Sequence, residues 1–92
     1  MNVTIRFFAQ FRELFGPVHE LSVPEGRRLT EVLHEIAEPN PDGKAALFSP
    51  DGRLRDYVIV MQGSERIEHD RAAALELRDG NTIAVFPPVA GG

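Results

Sequence analysis

Leu29-Thr30-Glu31-Val32-Leu33-His34-Glu35-Ile36-Ala37 places apolar side chains at 29, 32, 33, 36 and 37, the i, i+3, i+4, i+7, i+8 series of a helix with one buried stripe. Glu31, His34, Glu35 and the following Glu38 face away from it, and Thr30 is read as the N-cap. Pro39 disfavours helical geometry in the residue before it, so the helix stops near Glu38. A single apolar stripe needs one apolar sheet face to bury it, and the flanking sequence supplies strands on both sides.

Toward the N-terminus, Val3, Ile5 and Phe7 alternate with Asn2, Thr4 and Arg6, which predicts a strand over residues 2–8 with Phe8 on its outer face beyond Arg6. Phe11, Leu14 and Phe15 share one side of a short helical turn that Gly16-Pro17 stops. Residues 19–23 alternate again, a second strand antiparallel to the first and ended by Pro24-Glu25-Gly26. Toward the C-terminus, residues 39–56 hold three prolines and two Asp-Gly pairs and read mostly as loop, with Ala45 to Phe48 docking as a short apolar turn. Tyr57-Val58-Ile59-Val60-Met61 is apolar on both faces and reads as a well-covered strand, followed by a turn and a short segment around Ile67. Arg71 to Leu77 is ambiguous, because its alanines favour a helix too short to stand alone. Arg78-Asp79-Gly80-Asn81 is a turn, and Thr82 to Phe86 is the last strand, broken by Pro87-Pro88. The expected fold class is α+β, a mixed sheet with one main helix across one face; with the first and last strands central and parallel, this is the ubiquitin-like β-grasp arrangement. Residues 1–86 form that domain and residues 87–92 an extended C-terminal tail ending in Gly-Gly.

Composition narrows the function. Ninety-two residues make one domain, because a second core would need roughly another hundred. With 42% hydrophobic and 26% charged residues the chain is expected to be folded, and no apolar run approaches a membrane span, so a cytoplasmic location and no membrane partner are expected. Ten basic against fourteen acidic side chains leave a net charge of -4, which makes nucleic acid an unfavourable partner. The absence of cysteine excludes disulfides, thiolate metal sites and a catalytic thiol. His19, His34 and His69 are too scattered for a metal motif, so no metal is proposed. The glutamates of the main helix read as a solvated face, and neither a phosphate-binding loop nor a nucleophile elbow is present. The interior offers no catalytic constellation.

What remains is the end, Phe86-Pro87-Pro88-Val89-Ala90-Gly91-Gly92. Two prolines leaving a strand form a stiff stalk, and the last four residues reach on the order of 13 Å beyond it. Glycines without Cβ let a terminal carboxylate pass through a narrow channel into another enzyme's active site. A carboxylate resists nucleophiles at neutral pH, whereas its mixed anhydride with AMP is activated, so an ATP-dependent partner could load sulfur or an amine acceptor at Gly92. The chain would then be a carrier.

Phe7-Phe8-Ala9-Gln10, Arg12-Glu13-Leu14 and Gly16, with Asp79-Gly80 and the Pro-Pro to Gly-Gly end, resemble the small molybdopterin-synthase subunits of the MoaD/ThiS sulfur-carrier family. The chain departs from many relatives in having Gln62-Gly63 where they have Asn-Gly, and in a longer stretch between Pro39 and Asp56. The resemblance implies that an E1-like adenylyltransferase activates Gly92 with ATP, that a sulfur donor enzyme converts it to a thiocarboxylate, and that the large subunit of molybdopterin synthase uses that sulfur to build the dithiolene. It implies no cofactor bound by the chain itself and no catalytic site in the chain alone. By the same carry-over Gly92 reacts, Gly91, Ala90 and Val89 thread the partner's channel, Pro87 and Pro88 aim them, and Phe8 and Phe86 form an apolar docking patch. Ordinary sheet packing is the competing account of those two rings. Sulfur transfer to thiamin, cysteine or tRNA, a ubiquitin-like protein modifier, and a binding module with an inert tail stay open as alternatives.

Overall fold

Alternation along Asn2–Phe7 (β1) sends Val3, Ile5 and Phe7 into the core, each at most 2% exposed, and leaves Arg6 outside. The computed structural model describes residues 1–88. After β1 come α1 (Ala9–Phe15), β2 (Val18–Ser22), α2 (Leu29–Ala37), α3 (Pro41–Leu47), β3 (Ile59–Gln62), β4 (Glu65–Ile67), α4 (His69–Ala74) and β5 (Thr82–Phe86). The five strands lie in the order β2-β1-β5-β3-β4, with β1 and β5 parallel and every other neighbouring pair antiparallel. Leu29, Val32, Leu33 and Ala37 of α2 are fully buried and join Ile5, Phe7, Val60, Ile83 and Val85 in one apolar cluster. The fold is the ubiquitin-like β-grasp that the pattern predicts.

Several expectations need correction. Thr30 does not cap α2. Arg28 stands at the N-cap, its amide donating to Glu31 Oε1 at 2.9 Å, and the Leu29 amide is satisfied instead by Leu75 O at 2.9 Å. Arg28 pairs with Glu76 in an isolated bridge, so a long-range contact fixes this helix start where local capping was expected.

Residues 39–56 are not mostly loop, because Pro41–Leu47 is a helix. Asn40 is its N-cap and accepts from the Gly43 amide at 3.0 Å, while Pro41 occupies a first-turn position where its missing N–H costs nothing. Pro41-Asp42-Gly43 has the composition of a turn, and that composition hid the helix. Gly43 is there for space: a Cβ would collide with Cε1 and Cζ of Phe15 on α1. Phe15 packs against Phe7 with ring centroids 4.8 Å apart, so it cannot withdraw freely. Gly43→Ala is therefore expected to destabilise by about 1–3 kcal/mol despite the better helix propensity of alanine. Denaturant unfolding checks this, and adding Phe15→Leu should recover part of the loss as a non-additive pair.

The third strand is shorter than its apolar run. Tyr57 lies outside it and is 44% exposed, and only Val58 and Val60 are buried, while Ile59 and Met61 stay half-exposed on the outer face. It is thus covered on one side only. β1 ends at Phe7 and β2 spans 18–22, each one residue from expectation. The ambiguous stretch resolves as α4 over His69–Ala74, started two residues earlier and packed through Ala72. The predicted turn before β5 is present, with the Arg78 amide donating to Asn81 Oδ1 at 2.7 Å and Gly80 at φ 84.

Candidate docking site at the root of the tail

Phe8 extends the outer-face parity of Arg6 and is 37% exposed, and its amide still donates to Val85 O on β5 at 3.2 Å. That bond brings the end of β1 beside the end of β5. Phe8 and Phe86 consequently stack, with ring centroids 4.4 Å apart and planes 11° from parallel. The turn after Phe8 is strained: Ala9 has φ 52, the one non-glycine described residue in the left-handed region. Such a conformation costs about 1 kcal/mol and persists where surrounding contacts hold it.

Beside the ring pair runs an open groove of about 690 Å³, its walls formed by Ala9 and Gln10 of α1, Ile59 and Met61 of β3, and Phe86, Pro87 and Pro88. Register accounts for the convergence, since Ile59 pairs with Phe86 and Met61 with Ala84. Four of the predicted site residues, Phe8, Phe86, Pro87 and Pro88, are therefore gathered at one end of the sheet's exposed face. Val89, Ala90, Gly91 and Gly92 lie outside the described residues. Sequence reasoning missed Ile59, Met61, Ala9 and Gln10 as lining residues. The signal for the first two was present, because a strand apolar on both faces needs cover on both, and only one cover was ever accounted for.

The histidines serve the fold. Nε2 of His19 lies 2.6 Å from Phe15 O, Nε2 of His34 2.9 Å from Gly52 O, and Nε2 of His69 2.8 Å from Leu54 O. Each imidazole thereby fixes a neighbouring backbone carbonyl, and the ring of His34 also stacks on Phe48.

Among the described residues, the two groups with displaced acidity lie away from the groove. The Ser49 hydroxyl donates to Asp51, and the Arg53 amide donates to the same oxygen at 3.2 Å; together they hold the Asp51 carboxyl below its ordinary pKa. A carboxyl depressed by folding adds order to its loop at all pH values above the ordinary range near 4, and that contribution disappears as pH falls through the lowered value. Amide protection at Arg53 should thus survive titration through pH about 4 and vanish below it. Ser49→Ala, followed by carboxyl NMR, should move the Asp51 midpoint upward. The second group is Arg27, whose pKa is raised by its hydrogen bond to Glu35.

A β-grasp domain that keeps an apolar ring pair and groove exposed where its C-terminal segment leaves the sheet has the form of a ubiquitin-like carrier. The family profile described as "ThiS family" matches residues 5–92, and the chain belongs to that family of ubiquitin-like sulfur carriers. It is 36% identical to small archaeal modifier protein 3 of Haloferax volcanii over 93 aligned residues, covering 100% of both chains. It is 35% identical to the molybdopterin synthase sulfur carrier subunit of Aedes aegypti, covering 100% of this chain and 90% of that one. Among solved structures, SAMP1 from Haloferax volcanii superimposes with a TM-score of 0.83 at 25% identity, covering 100% of each chain. No helix among the described residues is long and apolar enough to cross a membrane.

Proposed function

We propose that the chain is the sulfur carrier of a molybdopterin synthase, acting in the cytoplasm through a C-terminal carboxyl group on Gly92. The observation that carries the reading is the stacked pair of exposed Phe8 and half-buried Phe86, with its groove, at the root of a segment ending in Gly-Gly. Full-length similarity to a molybdopterin synthase sulfur carrier subunit supports the branch.

The chemistry runs through partners. A carboxylate oxygen of Gly92 attacks the α-phosphorus of ATP in an E1-like adenylyltransferase, and pyrophosphate leaves. A hydrosulfide equivalent delivered by a sulfur donor enzyme then adds to the acyl carbon, and AMP departs with the electron pair of the broken C–O bond, leaving the thiocarboxylate. The large subunit of molybdopterin synthase takes the loaded tail and transfers its sulfur into the dithiolene. In this reading residues 1–86 act as the handle that partners grip, with Phe8 and Phe86 docking. Pro87 and Pro88 aim the tail, and Val89, Ala90 and Gly91 pass along the partner's channel, where the lack of Cβ at Gly91 permits close approach. ATP is bound by the activating enzyme and not by this chain.

Intact-mass measurement after incubation with the E1-like enzyme, ATP and a sulfur source tests the proposal. Exchange of one oxygen for one sulfur at Gly92 is expected, and loaded protein should rescue a strain lacking its own molybdopterin-synthase small subunit. Loading without rescue would redirect the sulfur to thiamin, cysteine or tRNA. A second reading, a protein modifier joined by Gly92 to substrate amines, is favoured by the 36% identity to small archaeal modifier protein 3. It predicts Gly92-dependent conjugates on denaturing gels; lysine-linked chains of the protein itself would have to pass through Lys44, its single lysine.

A further inference from the structure

The exposed face of the sheet carries charge as well as apolar surface, in an ordered row. Cross-strand register sets Arg6 of β1 beside Ala84 of β5, Ala84 beside Met61 of β3, and Met61 beside Arg66 of β4. Paired residues point to the same face, so two arginines bracket Ala84 and Met61, one row from the Phe8–Phe86 stack. Three strand spacings put their backbones about 14 Å apart. Both arginines are exposed, and among the described residues neither has a carboxylate within the 4.0 Å of an ion pair. The acid nearest Arg6 by register is Glu20, which pairs with Thr4 a row away, and Glu65 beside Arg66 pairs instead with Arg71 at 3.7 Å.

Arg6 and Arg66 therefore flank an apolar patch, one on each side, on a chain whose net charge is -4. The two guanidinium groups give this patch a positive flank on each side, which an acidic surface of matching spacing can meet. Two cations are too few to hold a phosphate backbone against that net charge, and the apolar centre between them calls for a protein surface. We infer that Arg6 and Arg66 select and orient the activating enzyme, which meets them with an apolar contact flanked by two carboxylates at a matching separation. Their contribution falls on encounter and alignment, because exposed charges at an interface edge act chiefly on association rate and are screened within about 8–10 Å in ordinary salt.

This inference rests on the carrier reading, and one experiment separates the two. The rate of ATP–pyrophosphate exchange by the E1-like enzyme of the same genome is measured against concentration of the full-length carrier at low and high sodium chloride. Compared are the natural chain, Arg6→Glu/Arg66→Glu, and Arg53→Glu/Arg78→Glu, which changes net charge equally but away from the sheet face. The first variant should lose about tenfold or more in kcat/KM at low salt with kcat retained, the loss should shrink toward none at high salt, and the second variant should stay close to the natural chain. Equal losses in both variants, or a loss that salt does not relieve, would overturn the role of the arginine pair while leaving the carrier reading intact. No exchange with the natural chain would bring down the carrier reading and this inference together. Thermal unfolding of each variant, expected to be unchanged, guards against a folding defect.

Discussion

Appending one alanine after Gly92 is expected to abolish adenylation and sulfur loading while leaving the unfolding free energy within about 0.5 kcal/mol of the natural chain. The two outcomes separate because the globule and the reacting group are distinct parts. All buried apolar residues among those described lie at or before Val85, so an addition beyond Gly92 removes nothing from the core. Chemically, the addition converts the Gly92 carboxylate into an amide and carries the new carboxylate up to about 3.5 Å further out. It also puts a Cβ where the proposed channel admits none. A displacement of about 1 Å at a reacting centre already costs on the order of a hundredfold in rate, so a shift several times larger should reduce exchange to background. Pyrophosphate exchange and intact mass read the chemistry, and denaturant unfolding reads the fold. Retained loading would place the reactive group elsewhere and end the carrier proposal.

The legible parts of the molecule were those in which side-chain period and burial agree. β1, β5 and α2 each have one apolar face and one solvated face, so alternation or the i, i+3, i+4 series states their type and their inward residues together. Phe8 was readable for the same reason, being one step beyond Arg6 in an unbroken alternation. The sulfur-carrier family was readable from the ends of the chain. What escaped depended on contacts distant in sequence. α3 looked like a turn because Gly43, a residue of poor helix propensity, is demanded by the ring of Phe15 from another helix. The start of α2 was misassigned because its first amide is satisfied by Leu75, far along the chain. The Arg6–Ala84–Met61–Arg66 row needs the register of four strands, three of them joined to their neighbours by pairings no local pattern specifies. Residues at the ends of β1 and β5 could therefore be placed by local alternation, and a row drawn across four strands could not.

Phe7 and Phe8 offer the sharpest contrast within two adjacent residues of one type. Phe7 is 1% exposed and lies among the core side chains, its ring 4.8 Å from that of Phe15 and edge-on to His19 at 5.5 Å. Phe7→Ala empties that space in the middle of the sheet and should cost about 3–5 kcal/mol, a large share of the stability of a domain this size. Phe8 instead gives one face to Phe86 and the other to solvent. Phe8→Ala forfeits the stacking, about 0.5–1.5 kcal/mol, and should leave a folded protein with a slightly lowered midpoint. At a partner interface the order reverses. An aromatic side chain seated at the centre of an apolar contact is commonly worth about 2 kcal/mol or more on truncation, close to thirtyfold in affinity. Calorimetry with the activating enzyme should therefore show Phe8→Ala binding at least tenfold more weakly while chemical denaturation shows it nearly intact. Equal affinity for Phe8→Ala and the natural chain would mean that the exposed ring merely completes the sheet end, and the groove beside it would lose its claim to be the docking surface.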